Sequence, residues 1–222
     1  MASADSGALK PNAVPFADPS EFTRQGHREA WHAGTRRFMR HFVKPGGVGA
    51  EIGVFWAHFA EILADEFRPT KLYLVDPWHR LHGEAYPNWG RYTNFGKLTT
   101  QETLDRARDL ETRYPGVVEV WVDYGIDFLE GMPDGHFDWI YLDANHVYKD
   151  VKADLMAILP KLKPTGIIMG DDYFADPASQ HAGVKRAVDE VAAECGFDLV
   201  REERNQFVLR PARKVPAQTV TD

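Results

Sequence analysis

The apolar residues of this chain gather in short runs, and the segments between them carry helical spacing. Val48–Gly53, Lys71–Asp76, Val117–Val122, Asp138–Asp143 and Thr165–Gly170 have strand length and are rich in β-branched and aromatic residues. Each precedes a segment with helical character: Trp56–Phe67, then (after a long loop) Gln101–Tyr114, Gly125–Met132, His146–Leu162 and Ala182–Cys195. The segment after Asp143 is the clearest, with Val147, Val151, Leu155, Ile158, Leu159 and Leu162 at spacings of three and four on one face. Gly196 stops the last helix, and Phe197–Arg201 and Gln206–Arg210 predict a closing pair of strands across the polar turn Glu202–Asn205. Alternating strands and helices imply an α/β fold with a mostly parallel sheet and helices on both faces.

Upstream, residues 1–18 are rich in Ala, Ser, Pro and Asp without periodicity and read as a mobile arm. Residues 19–44 predict a helical segment: Ser20 is placed to cap a helix running to about Val43, with Phe22, Trp31, Phe38 and Phe42 towards its buried side. Pro45-Gly46-Gly47 ends it, the folded domain spans 45–210, and 211–222 form a tail. At 222 residues the chain suits one domain able to bury most of its apolar surface. A net charge of -7 argues against a broad nucleic-acid-binding face. The single cysteine, Cys195, has no internal disulfide partner, which suits a reducing compartment. The first ten residues lack the basic-then-apolar order of a signal peptide, and no apolar run approaches the ~20 residues that span a bilayer. The expectation is a cytoplasmic protein whose partners are neither nucleic acid nor membrane.

In sheets of this kind, ligands bind beyond the carboxyl ends of the strands. Glu51-Ile52-Gly53, Asp76-Pro77-Trp78, Asp123-Tyr124-Gly125, Asp143-Ala144-Asn145-His146 and Asp171-Asp172 occupy those positions, and every one contains an acid. Asp171 and Asp172 stand side by side at the mouth of an apolar strand, which is unfavourable unless donors, water or a cation compensate them. The dinucleotide fingerprint G-x-G-x-x-G is absent, which argues against NAD. His79 and His82 lack further ligands nearby and do not make a zinc site.

Four segments carry a resemblance: Ala50-Glu51-Ile52-Gly53-Val54-Phe55-Trp56, Tyr73-Leu74-Val75-Asp76-Pro77-Trp78, Trp139-Ile140-Tyr141-Leu142-Asp143 and Leu162–Tyr173. In this order and spacing, the chain resembles a class I S-adenosylmethionine-dependent methyltransferase over roughly residues 45–210. Within that superfamily it is most similar to the metal-dependent O-methyltransferases that act on catechols and antibiotic sugars. The resemblance implies a Rossmann-like seven-stranded sheet with its last strand antiparallel, inserted near the edge. It also implies S-adenosylmethionine as cofactor. Glu51, Gly53, Phe55, Asp76, Trp78, Tyr124, Gly125 and Asp143 are then its candidate contacts: Glu51 for the amino group, Asp76 for the ribose hydroxyls, Trp78 for the adenine face. Trp78 serves equally well as a core anchor. Family members usually carry glycine at the position of Ala57, a departure here.

The resemblance further implies a divalent ion, Mg²⁺ by preference, on Asp143, Asp171 and Asp172, since magnesium takes about six oxygens. The same two adjacent acids can instead cap a turn and meet water. His146 is the candidate general base, with Asp143 beside it in the catalytic set, because an imidazole titrates near ~6.5. Catechol O-methyltransferase carries a lysine at that place, and the sugar enzymes an Asp where this chain has Asn145, which cannot take a proton. The aromatic loop from Trp78 to Phe95, with Tyr86, Trp89 and Tyr92, suits either a lid over the acceptor or a packing surface. His27 and Trp31 are a second candidate wall.

The expected reaction is methyl transfer to a hydroxyl of a small molecule, a vicinal diol or catechol being best able to chelate the ion. Three alternatives stay open: metal-free N- or O-methyl transfer, a non-catalytic cofactor-binding scaffold, and, remotely, an NAD-dependent oxidoreductase. Related enzymes are often dimers or larger, so a homo-oligomer also stays open.

Overall fold

A computed structural model describes residues 35–202 and 205–212. The arm at 1–18, most of the helical segment at 19–44, the wall residues His27 and Trp31, and the tail from 213 lie outside the described residues.

The apolar runs become the strands β1 (Val48–Ile52), β2 (Lys71–Asp76), β3 (Val118–Val122), β4 (Phe137–Leu142) and β5 (Leu162–Gly170). The closing pair becomes β6 (Phe197–Glu202) and β7 (Gln206–Pro211). They form one seven-stranded sheet in the order β3-β2-β1-β4-β5-β7-β6. The first five strands pair in parallel, while β7 runs antiparallel to both β5 and β6, inserted one place from the edge as expected.

Helices cover both faces because the strands are apolar on both sides. On one face α1 (His58–Ile62) and α3 (Thr100–Arg113) pack Phe59, Leu104, Ala107 and Leu110 against Leu72, Leu74, Trp139 and Tyr141. On the other, α4 (Gly125–Glu130), α5 (Tyr148–Ile158) and α6 (Ala182–Cys195) bring Phe128, Val151, Leu155, Ile158, Val184 and Val188 against Ile52, Ile140 and Ile168. A one-turn helix α2 (His79–His82) lies in the loop after β2.

Several boundaries move for local reasons. The helix expected over Trp56–Phe67 starts only at His58, because Gly53, Phe55 and Ala57 all have positive φ (91°, 47° and 57°). Its last turn, Leu63–Phe67, is π-helical. The helix expected over His146–Leu162 starts at Tyr148 and ends at Ile158, leaving Val147 exposed. Pro160, which has no amide to donate, sits in a 3-10 turn over Leu159–Lys161, and Leu162 already pairs with Phe137 in the sheet. The part of the N-terminal helix that is described, Thr35–His41, is 3-10 rather than α-helical, and it seats Met39 in the core and Arg36 over the sheet.

Candidate active site

The carboxyl ends of β1, β2, β4 and β5 meet at the middle of the sheet, and the acids expected there are all present. Glu51 is fully buried beside Tyr141, its register partner on β4. Its Oε2 has no hydrogen-bond partner among the described residues. Burial holds the Glu51 carboxyl well above the ordinary carboxylate range. Arg36 opposes that shift, and Asp143 and Asp76 add to it.

Gly53 permits a close approach, but to the protein itself. A Cβ there would stand 2.1 Å from the Asp143 carbonyl oxygen, and the φ of 91° favours glycine in any case. Asp76 also turns inward. Its Oδ2 accepts from the amides of Val54 and Phe55, both at 2.9 Å, and its Oδ1 accepts from Trp78 N at 2.8 Å. Burial raises the Asp76 pKa, with those three amides pulling the other way. The residue expected to bind a ribose thus pins the strained Gly53–Ala57 turn, which is reason enough for an acid at this place. Trp78 takes the packing role: it is fully buried, with its indole N–H 3.3 Å from the Phe55 carbonyl. Tyr124 and Gly125 begin α4 at the end of β3, with Tyr124 exposed and Arg80 over its ring at 5.3 Å.

The Trp78–Phe95 loop folds onto this edge through its aromatics. Phe55 stacks on Tyr92 at 4.6 Å and meets Tyr86 edge-on at 5.0 Å. Tyr86 is buried with its hydroxyl 2.8 Å from Thr103, whereas Trp89 and Tyr92 stay largely exposed.

The metal candidates divide into two groups. Arg36 reaches over the sheet between Phe59 and Tyr141, donates to Asp143 Oδ2 at 2.9 Å, and makes a second ion pair with Asp171 Oδ2. Asp172 points elsewhere, with its Oδ2 2.7 Å from His146 Nε2 and 3.3 Å from His181 Nδ1. Burial pushes the Asp143 pKa up to about 7; Arg36 opposes this, and Asp171 and Asp172 reinforce it. Magnesium on Asp143, Asp171 and Asp172 therefore does not fit this arrangement. Two of its three carboxylates already hold a guanidinium, and a second cation there must first displace it. The expectation put all three acids on one ion; here Asp143 and Asp171 face Arg36, and Asp172 faces His146 and His181. Arg36 was invisible in the sequence, since nothing in Thr35-Arg36-Arg37 marks one of two adjacent arginines for the interior.

His146 lies at the edge of the same cleft, which is lined by Asp143, Asn145, Asp171, Val184 and Phe207. Burial disfavours the imidazolium, but the hydrogen bond to Asp172 and the charges of Asp172, Asp143 and Asp171 outweigh it, so the His146 pKa is raised. Burial also works against the Asp172 carboxylate, yet His146, His181 and Arg36 bring its pKa below the ordinary value. The two shifts are mutual and describe one ion pair. Asn145 serves the start of α5: its Oδ1 accepts from Val147 N at 2.8 Å and its Nδ2 donates to Asp150 at 3.0 Å. His181 had no signal beyond its place just before α6.

Comparison with known proteins settles the kinship. Residues 47–173, more than half of the chain, match the family model of a methyltransferase domain. The chain belongs to this family. Its fold is that of the class I S-adenosylmethionine-dependent methyltransferases. An uncharacterised protein of Sinorhizobium fredii is 23% identical over 164 residues, 72% of this chain and 16% of the relative's own length. The chain thus spans about a sixth of that relative. Among solved structures, a protein of Corynebacterium glutamicum matches with a TM-score of 0.59 at 14% identity, covering 90% of this chain and 94% of its own. Geranyl diphosphate methyltransferase in complex with S-adenosylmethionine matches at 0.55 and 13%, covering 90% and 93%. A methyltransferase of Pyrococcus furiosus matches at 0.52 and 15%, covering 81% and 82%. At these identities the structures share the fold. Among the described residues no helix is long and apolar enough to cross a membrane.

Proposed function

We propose that this chain transfers a methyl group from S-adenosylmethionine to a hydroxyl of a small molecule, with His146 as the proton acceptor. The observation that carries this reading is the 2.7 Å contact between His146 and Asp172 at the strand ends of a methyltransferase sheet. A carboxylate that orients an imidazole and stabilises its charged form is the pairing a general base needs. The family supports the cofactor, and Glu51 fits it: a buried carboxyl oxygen without a partner among the described residues is suited to an ammonium such as the cofactor carries, whose charge favours its ionised form. Bound S-adenosylmethionine supplies an electrophilic methyl on a sulfonium centre. The acceptor hydroxyl gives its proton to His146 Nδ1, since Nε2 faces Asp172, and its oxygen forms the bond to the methyl carbon, leaving S-adenosylhomocysteine. Arg36, beside both Asp143 and the cleft, holds the local charge that a metal supplies in the catechol enzymes. The Phe55–Tyr86–Tyr92 cluster shields the edge from water.

The test is transfer of labelled methyl from S-adenosylmethionine to a panel of catechols, sugar diols and amines, with and without EDTA. Label appearing on oxygen, at a rate that survives chelation, supports this reading. Label on nitrogen alone overturns the acceptor class, and loss of all turnover on chelation restores a metal to the mechanism.

A further inference from the structure

We propose that His146 Nε2, the Asp172 carboxylate and His181 Nδ1 form a binding site for a divalent first-row transition-metal ion such as Zn²⁺ or Co²⁺. The three ligand atoms all lie within 4.8 Å of one another, and the two imidazole rings meet edge-on at 4.2 Å between centroids. A tetrahedral ion with bonds of about 2.0–2.1 Å places neighbouring ligand atoms about 3.3 Å apart. The Asp172–His181 separation of 3.3 Å already has that value, and the 2.7 Å between Asp172 and His146 has only to open by about half an ångström.

The ligands come from three segments that the fold locks together. His146 lies in the loop between β4 and α5, Asp172 follows β5, and His181 immediately precedes α6. Gly183 is what lets two of these meet, because a Cβ there would stand 2.3 Å from the His146 carbonyl oxygen and 2.6 Å from Tyr148 N. Asp172 is held at a φ of 62°, a strained left-handed conformation that aims its carboxylate at the imidazoles. Phe174 stacks on His181 at 5.2 Å, fixing the ring. The Gln180 amide nitrogen lies 2.9 Å from His181 Nε2; ligation through Nδ1 requires this amide to turn over, so that its carbonyl accepts from Nε2–H.

Two imidazoles and one carboxylate select a transition metal over magnesium, which prefers oxygen throughout. The Asp172 carboxylate, held ionised by its lowered pKa, supplies negative charge at the site for a divalent ion to offset. The side chains of His146, Asp172 and His181 are 38%, 21% and 18% exposed, so further positions on the ion are open to water or a ligand.

This site stands on its own geometry, but it bears on the proposed reaction, since a metal on His146 Nε2 leaves the ring's own proton on Nδ1, the nitrogen that has to take the acceptor's. The experiment titrates the metal-stripped full chain with Co²⁺, followed by its visible absorption, and with Zn²⁺, followed by calorimetry. His146→Ala, His181→Ala and the shape-conserving His181→Gln are run beside it. One equivalent bound, weakened at least tenfold in every variant that melts cooperatively, and left intact by millimolar Mg²⁺, supports the site. No binding, or equal binding in wild type and all three variants, overturns it. Methyl transfer measured in the same samples separates the two proposals. Zinc that occupies the site and stops turnover agrees with both, whereas zinc that binds without inhibiting upholds the metal site and removes His146 as the proton acceptor.

Discussion

At the scale of single residues, Glu51 and His146 carry opposite consequences for stability and function. The buried Glu51 carboxyl has a folded pKa above its unfolded value, so the folded state holds its proton more tightly. Its contribution to stability is fully present below about pH 4.3 and is lost as pH rises towards the folded pKa. Glu51→Gln therefore melts higher than wild type without cofactor, with a gap that widens as pH rises above that value. The same variant binds S-adenosylhomocysteine at least roughly tenfold more weakly, because the ammonium loses a charged acceptor. Calorimetry at several pH values checks both halves. For His146 the folded pKa is also raised, and as a base it must be deprotonated to work. The rate of transfer is expected to rise with pH through a midpoint above ~6.5, and His146→Ala to remove that limb and lower kcat by roughly 10²–10⁴-fold. A pH profile unchanged by the substitution refutes the assignment. The pair's stabilising effect has its own window. His146 contributes below its raised pKa and Asp172 above its depressed one, so the wild type's advantage over His146→Ala is expected between about pH 4 and somewhat above 6.5, fading on either side.

At the scale of elements, the site depends on two close backbone approaches that side chains would prevent. Gly53 lets the end of β1 pass the Asp143 carbonyl, and Gly183 lets the start of α6 pass the His146 loop. Gly53→Ala adds a steric clash to a left-handed strain and is expected to cost about 3 kcal/mol or more, read as a lower urea midpoint at unchanged slope. Gly183→Ala pries apart the segments bearing His146 and His181 while leaving the sheet alone, so it should reduce turnover more than it reduces stability. Helices α5 and α6 resist that separation through Glu190, which accepts from Lys152 at 3.0 Å, and through Arg186 lying over the Tyr148 ring at 3.9 Å. Apolar periodicity announced these helices but not their ends. Those were set by Pro160, by the left-handed Ala57 and by the Asn145 turn, each a local conformational constraint that a hydrophobic pattern does not carry.

At the scale of the whole molecule, a cofactor that binds only the folded state must stabilise all of it. S-adenosylhomocysteine at a hundred times its Kd is expected to add about 2.7 kcal/mol, a rise of about 5–10 °C in Tm for a chain of this size. A melting temperature indifferent to S-adenosylhomocysteine removes the cofactor from the proposal. The sequence by itself determined the alternation of apolar strands and amphipathic helices, hence a two-faced parallel sheet. It also determined which acids stand at its carboxyl edge, because strand length and strand-end positions follow from local periodicity. Only the tertiary structure decided what those acids face. Arg36 is more than a hundred residues from Asp143 along the chain and His181 is separated from His146 by β5, so no pattern in one segment could foretell that the first takes two of the carboxylates and the second shares the third. Charges find their partners by distance in space, and that distance exists only once the sheet has brought its strand ends together.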